Sequence, residues 1–247
     1  MRKNSILLGI LYLFLVVTHS VSAQSNPSKK VYVLCYHTFL GKPKIFTDFS
    51  LTELKTQMTT LKNNGYKFVT LHEFESGSYT GVKNALVIVD DGNISAFKAY
   101  ETVFKPLNIR PVFAIYPNII SHVSYAMTWD QLRTLLRENC DIACHGFYHL
   151  YLTTAFFEKD PKGFDREILL SKQLLEKNLK YSIKSFVYPF GVVSPIAQTK
   201  IQQAGYTQAF SLKAKPIIDL TSENKWDLPR YMMTRPIAKS VIKKMCE

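Results

Sequence analysis

Ala85-Leu-Val-Ile-Val-Asp90-Asp91-Gly92 is an unbroken apolar run that stops abruptly in two carboxylates and a glycine. A short run rich in Val and Ile, with no polar alternation, suits a strand covered on both faces, as in a parallel sheet flanked by helices. Comparable runs recur at 30–37, 66–71, 85–91, 110–116, 141–145, 183–189, 207–212 and 229–234. Helix-like stretches separate them. Ser50-Leu-Thr-Glu53 and Thr128-Trp-Asp-Gln131 fit capping boxes, Pro195 and Pro236 suit first-turn positions, and Gly65 and Gly205 suit left-handed exits. Eight strands alternating with helices imply right-handed crossovers, in a closed (β/α) barrel or an open doubly wound sheet. The expected fold is α/β, a distorted (β/α) barrel of about seven to eight strands.

The chain has 247 residues, 47% of them hydrophobic and 20% charged, which excludes a disordered segment. Ten glycines and eleven prolines fall at no fixed spacing, which excludes collagen-like and repeat architectures. Arg2 and Lys3 precede an apolar stretch from Ile6 to Val17, and Val21-Ser-Ala23 resembles a small-residue cleavage site. Residues 1–23 therefore read as a signal peptide and 24–247 as a single domain, exported to the periplasm, cell surface or medium. The apolar stretch is shorter than the roughly 20 residues of a spanning helix, which favours cleavage over anchoring. Losing Arg2 and Lys3 would lower the formal charge from +12 to +10. Lys and Arg are dispersed with no dense block, so a solvated basic surface is expected and no nucleic-acid partner. The same positive field is compatible with acidic glycans and with peripheral association with the cell envelope. Four cysteines, Cys35, Cys140, Cys144 and Cys246, are too few to scaffold the fold, and a Cys35–Cys144 bridge between neighbouring strands stays open.

In either architecture chemistry gathers at the carboxyl ends of the strands, where polar residues follow apolar runs. Asp90 and Asp91 stand at such an end, and two anions there call for a cation or hydrogen-bond donors. Strand alternation points them in different directions, so one can ligate a metal while the other faces a reaction. An Asx-turn completed by Gly92 is the structural alternative. Cys144-His145-Gly-Phe-Tyr-His149 follows another strand, and its histidines would share a face on one helical turn. Two neutral imidazoles so placed can converge on zinc or a related divalent ion, whereas a capped loop histidine beside a surface one is the plain reading. Two histidines and a carboxylate would leave coordination positions open for water and substrate. No Glu follows the first histidine, which argues against a metalloprotease, and alternation turns Cys144 into the core.

These segments, in this order, resemble the polysaccharide deacetylase family, also called the nodulation-protein-B-like domain or carbohydrate esterase family four. The resemblance runs from Val31-Tyr-Val-Leu-Cys-Tyr36-His37 through Val89-Asp90-Asp91-Gly92, Met127-Thr-Trp-Asp-Gln-Leu132 and His145-Gly-Phe-Tyr-His149. It continues through Tyr188-Pro-Phe-Gly191, Gly205-Tyr-Thr-Gln-Ala-Phe210 and Leu228-Pro-Arg230. It implies a distorted barrel, Asp90 as general base, and Asp91, His145 and His149 as ligands of one divalent metal ion, zinc first, with cobalt or nickel as alternatives. It also implies hydrolysis of N-acetyl groups on an amino-sugar polymer, with an oxyanion held by the metal and a backbone N–H near Tyr188.

The chain departs from the family pattern in three places. Ile88-Val89 replaces Thr-Phe before the aspartates. Phe186 stands where an Arg is common, which makes Arg230 the candidate for the charge beside Asp90. No histidine follows His149, so the late Leu-x-His acid is missing, and His37, at the end of the first strand, is the candidate to replace it or to orient neighbouring loops. Tyr188, Pro189, Phe190 and Trp226 are the candidate sugar contacts, since a pyranose offers C–H faces to aromatic planes. The expected function is an exported, metal-dependent de-N-acetylase of poly-N-acetylglucosamine, peptidoglycan or a chitin-like polymer. The alternatives are an impaired glycan binder on the same fold and a deacylase of O-acetyl or lipid-linked sugars.

Overall fold

The computed structural model describes residues 30–247, and the expected signal peptide lies outside them. Among the described residues eight strands form: β1 (Lys30–Tyr36), β2 (Lys67–Phe68), β3 (Lys83–Val89), β4 (Val112–Ile115), β5 (Asp141–Cys144), β6 (Ser185–Val187), β7 (Gln208–Phe210) and β8 (Tyr231–Met232). All are parallel, in the order β7-β6-β5-β4-β3-β1-β8, with β2 paired to the first half of β3. The sheet curls until its edges nearly meet. Leu228 bridges Phe210 of β7, and the chain then runs straight into β8 beside β1, so one bridge closes the ring. The structure is the expected distorted (β/α) barrel.

The helices are α1 (Leu51–Asn63), α2 (Leu71–Ser76), α3 (Ile94–Ala99), α4 (Trp129–Arg137), α5 (Thr154–Lys159), α6 (Pro161–Asp165), α7 (Ser171–Leu179), α8 (Pro195–Gln203) and α9 (Arg235–Cys246). A π-helical turn, Tyr100–Phe104, extends α3, and another, Arg166–Leu170, joins α6 to α7. Both expected capping boxes form, at Ser50/Glu53 and Thr128/Gln131, and Thr70/Glu73 adds a third. Gly65 and Gly205 are left-handed, with φ of 82° and 75°.

Period-two alternation sorts the strand residues into two cores. Leu34, Tyr36, Val87, Val89, Phe113, Ile115, Ile142, Cys144, Phe186 and Tyr188 pack outward against the helices. Val31, Val33, Leu86, Ile88, Val112, Ala114, Ala143, Val187 and Phe210 fill the barrel, and Phe74 of α2 plugs its amino end. Continuing the inward rows one step past β3 and β5 gives Asp90 and His145, while Cys35 tops the inward row of β1. Their backbones stay pinned: Asp90 N–H donates to the Tyr36 carbonyl at 2.8 Å and His145 N–H to that of Ile115 at 2.9 Å. The fold therefore delivers these groups to the carboxyl rim on rigid strand ends.

The four cysteines are free thiols. No Cys35–Cys144 bridge forms because β3 and β4 lie between β1 and β5. Cys144 is core, as alternation predicts, and its thiol donates to Ser171 Oγ at 3.0 Å. Among the described residues no helix is long and apolar enough to cross a membrane.

Candidate active site

Asp90 and Asp91 diverge as alternation requires. Asp90, 2% exposed, turns into the barrel, where Arg230 Nη1 donates to both its oxygens at 2.8 and 3.0 Å. Arg230 is itself buried, and its Nε donates to the Ser211 carbonyl at 3.0 Å. The Cys35 thiol donates to Asp90 Oδ2 at 3.3 Å. Burial pushes the Asp90 carboxyl up, but the Arg230 guanidinium, with His145 and His37, outweighs it and holds the group well below the usual carboxylate range. The ion pair in turn raises Arg230 against the opposing effect of burial. Burial drives the Cys35 thiol upward, so it stays a protonated donor.

Asp91 turns the other way, toward the two histidines, with left-handed backbone at φ 77°. Its Oδ1 lies 3.6 Å from His145 Nε2 and 3.4 Å from His149 Nε2, and the two Nε2 atoms are 3.1 Å apart. His145 Nδ1 donates to the Val187 carbonyl at 2.7 Å, which fixes the tautomer and leaves Nε2 as a lone pair aimed at the other two atoms. Burial drops His145 to about 4, so it stays neutral near pH 7. Asp91 Oδ1 is buried without a hydrogen-bond donor. Four ligands about 2.0–2.1 Å from a tetrahedral zinc sit about 3.3 Å from one another, close to the three separations here. The orphaned oxygen, the fixed tautomer and the spacing all fit a divalent cation.

His149 does not reach this triad by a helical turn, contrary to expectation. Residues 145–150 form a turn in which Gly146 has φ 82° and His149 φ 61°, so the backbone doubles back and brings the two rings face to edge, centroids 4.7 Å apart. A non-glycine residue at positive φ costs of order 1–3 kcal/mol and persists only where its surroundings hold it. Tyr116 and Phe190 flank the His149 ring at 5.3 and 4.4 Å.

His37 stands on the same rim, half-buried, with Nδ1 buried and unpartnered. A ring nitrogen of His37, the Cys35 sulfur and an Asp90 oxygen lie within 4.8 Å of one another. The candidate sugar contacts divide. Phe190 is 46% exposed and stacks on Tyr151, 52% exposed, with centroids 3.9 Å apart. Tyr188 and Pro189 are buried and offer no face to a ligand; the Tyr188 hydroxyl instead donates to the Trp226 carbonyl at 2.9 Å. Trp226 is half-buried against the outer core. The Tyr188 amide donates to the Phe210 carbonyl, Pro189 has no N–H, and Gly191 N–H donates to the Tyr188 carbonyl. Among the described residues the Phe190 amide of this turn has no backbone acceptor.

Sequence reasoning missed Cys35 as a neighbour of Asp90, and Tyr116 and Tyr151 as neighbours of His149 and Phe190. Cys35 was recoverable, because it shares the inward row with Asp90 across paired strands. The aromatic neighbours come from loops whose course no periodicity fixes.

Comparison with known proteins places these residues in context. The family model described as polysaccharide deacetylase matches residues 77–209, more than half of the chain. That span holds Asp90, Asp91, His145, His149 and the 188–191 turn, and leaves out β1 and β8 with His37 and Arg230. A poly-beta-1,6-N-acetyl-D-glucosamine N-deacetylase of Staphylococcus aureus (strain MRSA252) is 21% identical across 98% of this chain and 96% of its own. Among solved structures, IcaB from Ammonifex degensii aligns over 89% of this chain and 98% of its own, with 22% identity and a TM-score of 0.79. A de-N-acetylase from Aggregatibacter actinomycetemcomitans aligns over 87% and 99%, with 19% identity and a TM-score of 0.74.

Proposed function

The chain belongs to the polysaccharide deacetylase family, and we propose that it removes N-acetyl groups from a glucosamine-containing polysaccharide, with β-1,6-linked poly-N-acetylglucosamine as the substrate. The carrying observation is the pairing at one rim of an Arg-held carboxylate, Asp90, with a cation-shaped triad, Asp91, His145 and His149. The curated relative that spans almost the whole chain acts on that polymer, which supports the substrate.

Asp91, His145 and His149 would hold one divalent ion, zinc by donor type and spacing. When bound, such an ion supplies Lewis-acid polarisation of the acyl oxygen and eases ionisation of water. Asp90, 3.7 Å from His145 Nε2 through Oδ2, accepts the proton of the attacking water. Its low basicity follows from Arg230, which keeps the carboxylate ionised and aimed at ordinary pH. Addition to the amide carbon puts negative charge on the acyl oxygen, and the Phe190 N–H donates to it. Collapse breaks the C–N bond, and His37 gives its proton to the leaving amine. Phe190 and Tyr151 provide an exposed aromatic face for a sugar ring, with Trp226 as a wall.

Residues 24–247 form the catalytic domain, and the basic, apolar stretch at 1–23 supports export of the protein to meet an extracellular or envelope polymer. The test is acetate release by the purified, zinc-loaded protein from oligomers of β-1,6-N-acetylglucosamine, peptidoglycan and chitin. The reading expects release from the β-1,6 oligomers, halted by a chelator. Release from peptidoglycan or chitin alone would reassign the polymer. No release from any of them, with zinc bound, would overturn the enzyme.

A further inference from the structure

Glu167 lies in the π-helical turn between α6 and α7, and it is 0% exposed. Among the described residues no Lys, Arg or His lies within ion-pair distance of its carboxylate. Taking a carboxylate out of water costs several kcal/mol unless its lone pairs are met. Here backbone amides meet them. Phe147 N–H donates to Oε2 at 2.9 Å, Tyr148 N–H to Oε1 and Oε2 at 3.0 and 3.1 Å, and Leu150 N–H to Oε2 at 3.3 Å. All three amides belong to the turn between His145 and the residue after His149, the turn held at positive φ.

Two neighbouring features show that space and backbone are shaped around this carboxylate. A Cβ on Gly146 would lie 2.8 Å from Glu167 Oε2 and 3.3 Å from Pro189 Cγ, so the acid can reach the amides only over a glycine. On the other side Ser171 Oγ donates to the Glu167 carbonyl and receives the Cys144 thiol, which ties the π-helical turn to the end of β5. The π-helical turn is where Glu167 leaves the helix surface for the core, consistent with the frequent placement of such turns at functional sites.

We propose that Glu167 is a positioning residue that clamps the 146–150 turn and so sets His149 opposite His145 and Asp91 before any ion arrives. The proposal rests on the cation reading of that triad. Among the described residues the carboxylate's hydrogen bonds go to the Phe147, Tyr148 and Leu150 amides and not to the side chains of Asp91, His145 or His149. It acts by collecting three amides that would otherwise be free to rotate, which fixes the strained His149 backbone. A carboxylate suits the task because both oxygens only accept. In Glu167→Gln one of them becomes an NH2 group, and its hydrogens face amide hydrogens.

The test uses the purified protein, metal-free and then titrated with zinc chloride. In the metal-free wild type, the Phe147, Tyr148 and Leu150 amides should be protected from hydrogen exchange. Glu167→Gln should lower that protection at least tenfold and weaken zinc binding by about ten- to a hundredfold, the range expected for loss of an outer partner of a ligand. Ile168→Val, in the same turn and buried in the outer core, should lower thermal stability and leave zinc affinity within twofold. Glu167→Asp, which shortens the reach by one methylene, should fall between wild type and Gln, and it serves in place of Gln should Gln fail to fold. Unprotected amides in the wild type, or a folded Glu167→Gln that keeps zinc affinity within twofold, would overturn the clamp. A wild type that binds no zinc would instead overturn the cation reading, and the exchange rates of the metal-free proteins would still decide the clamp.

Discussion

Both ends of the barrel hold acidic groups among polar neighbours, half-buried at the amino end and including the fully buried Asp90 at the carboxyl end, and they do opposite things with them. At the amino end, Glu75 Oε1 accepts from Gln208 Nε2 at 2.8 Å and from Ser185 Oγ at 3.5 Å, and Asp141 Oδ1 accepts from the Tyr181 hydroxyl at 2.8 Å. Burial raises both carboxyls, and the opposing pull of Lys184 and His72 does not overcome it. At the carboxyl end Asp90 is held low by Arg230, while Asp91 Oδ1, His37 Nδ1 and Arg230 Nη2 are buried without partners. Asp91 and His149 also sit at positive φ there. Buried polarity alone does not mark a site. Unmet polar atoms and left-handed residues also occur singly elsewhere, as at Asn84 Oδ1 near the amino end and at Lys180; it is their coincidence with a held charge on one rim that marks the site.

The sharpest way to break this contrast is to remove the charge partner at one end. Arg230→Ala should destabilise the protein by about 3–5 kcal/mol, since it strands Asp90 as an unpaired buried charge. It should also raise the Asp90 carboxyl toward and beyond its ordinary value. Urea unfolding measures the first effect, and carboxyl titration by NMR the second. A loss under about 1 kcal/mol would mean that the pair is solvated and the two ends are alike.

The next effect follows from protons. His145 is about 4 in the folded protein and about 6.5 unfolded, so between those values the unfolded chain binds the extra proton. Metal-free protein should therefore lose stability as the pH falls from about 6.5 to 4, by on the order of 3 kcal/mol, and added zinc should oppose the loss down to the pH at which it dissociates. Glu75 and Asp141 carry the opposite sign. Their raised carboxyls bind protons more readily when folded, so their contribution is lost as the pH rises through the carboxylate range. Thermal melts of wild type and Glu75→Gln across pH 4–7 separate the two ends.

The smallest effect belongs to the amino end itself. Gln at position 75 keeps an acceptor for Gln208, and the change should cost about 1 kcal/mol or less with no effect on acetate release. A loss of turnover there would show that the ends are coupled.

The rigid half of the site was legible in the sequence, and the half built by turns was not. Asp90, Asp91 and His145 follow apolar runs whose period and length fix where the strands end, so their place at the rim could be read residue by residue. The capping boxes at Ser50 and Thr128 were equally readable, being local. His149 was singled out for a helical spacing that does not exist; it reaches the triad through left-handed backbone that Gly146 hints at but does not dictate. Tyr188 looked like a sugar contact because it follows an apolar strand, yet alternation sends its ring outward into the helix core. Glu167 had no signal, since one acid among the charges of 158–167 reveals nothing about amides twenty residues earlier. Long-range contacts of that kind depend on how a loop packs.

In the proposed function Asp90 and the Asp91–His145–His149 triad together carry amide hydrolysis. The direct measurement is acetate release from β-1,6-N-acetylglucosamine oligomers by zinc-loaded wild type and by Asp90→Asn, with zinc content determined on both. The account predicts full zinc occupancy in both proteins and turnover in the variant reduced about a hundred- to ten-thousandfold. Turnover within threefold of wild type in a zinc-loaded Asp90→Asn would contradict it.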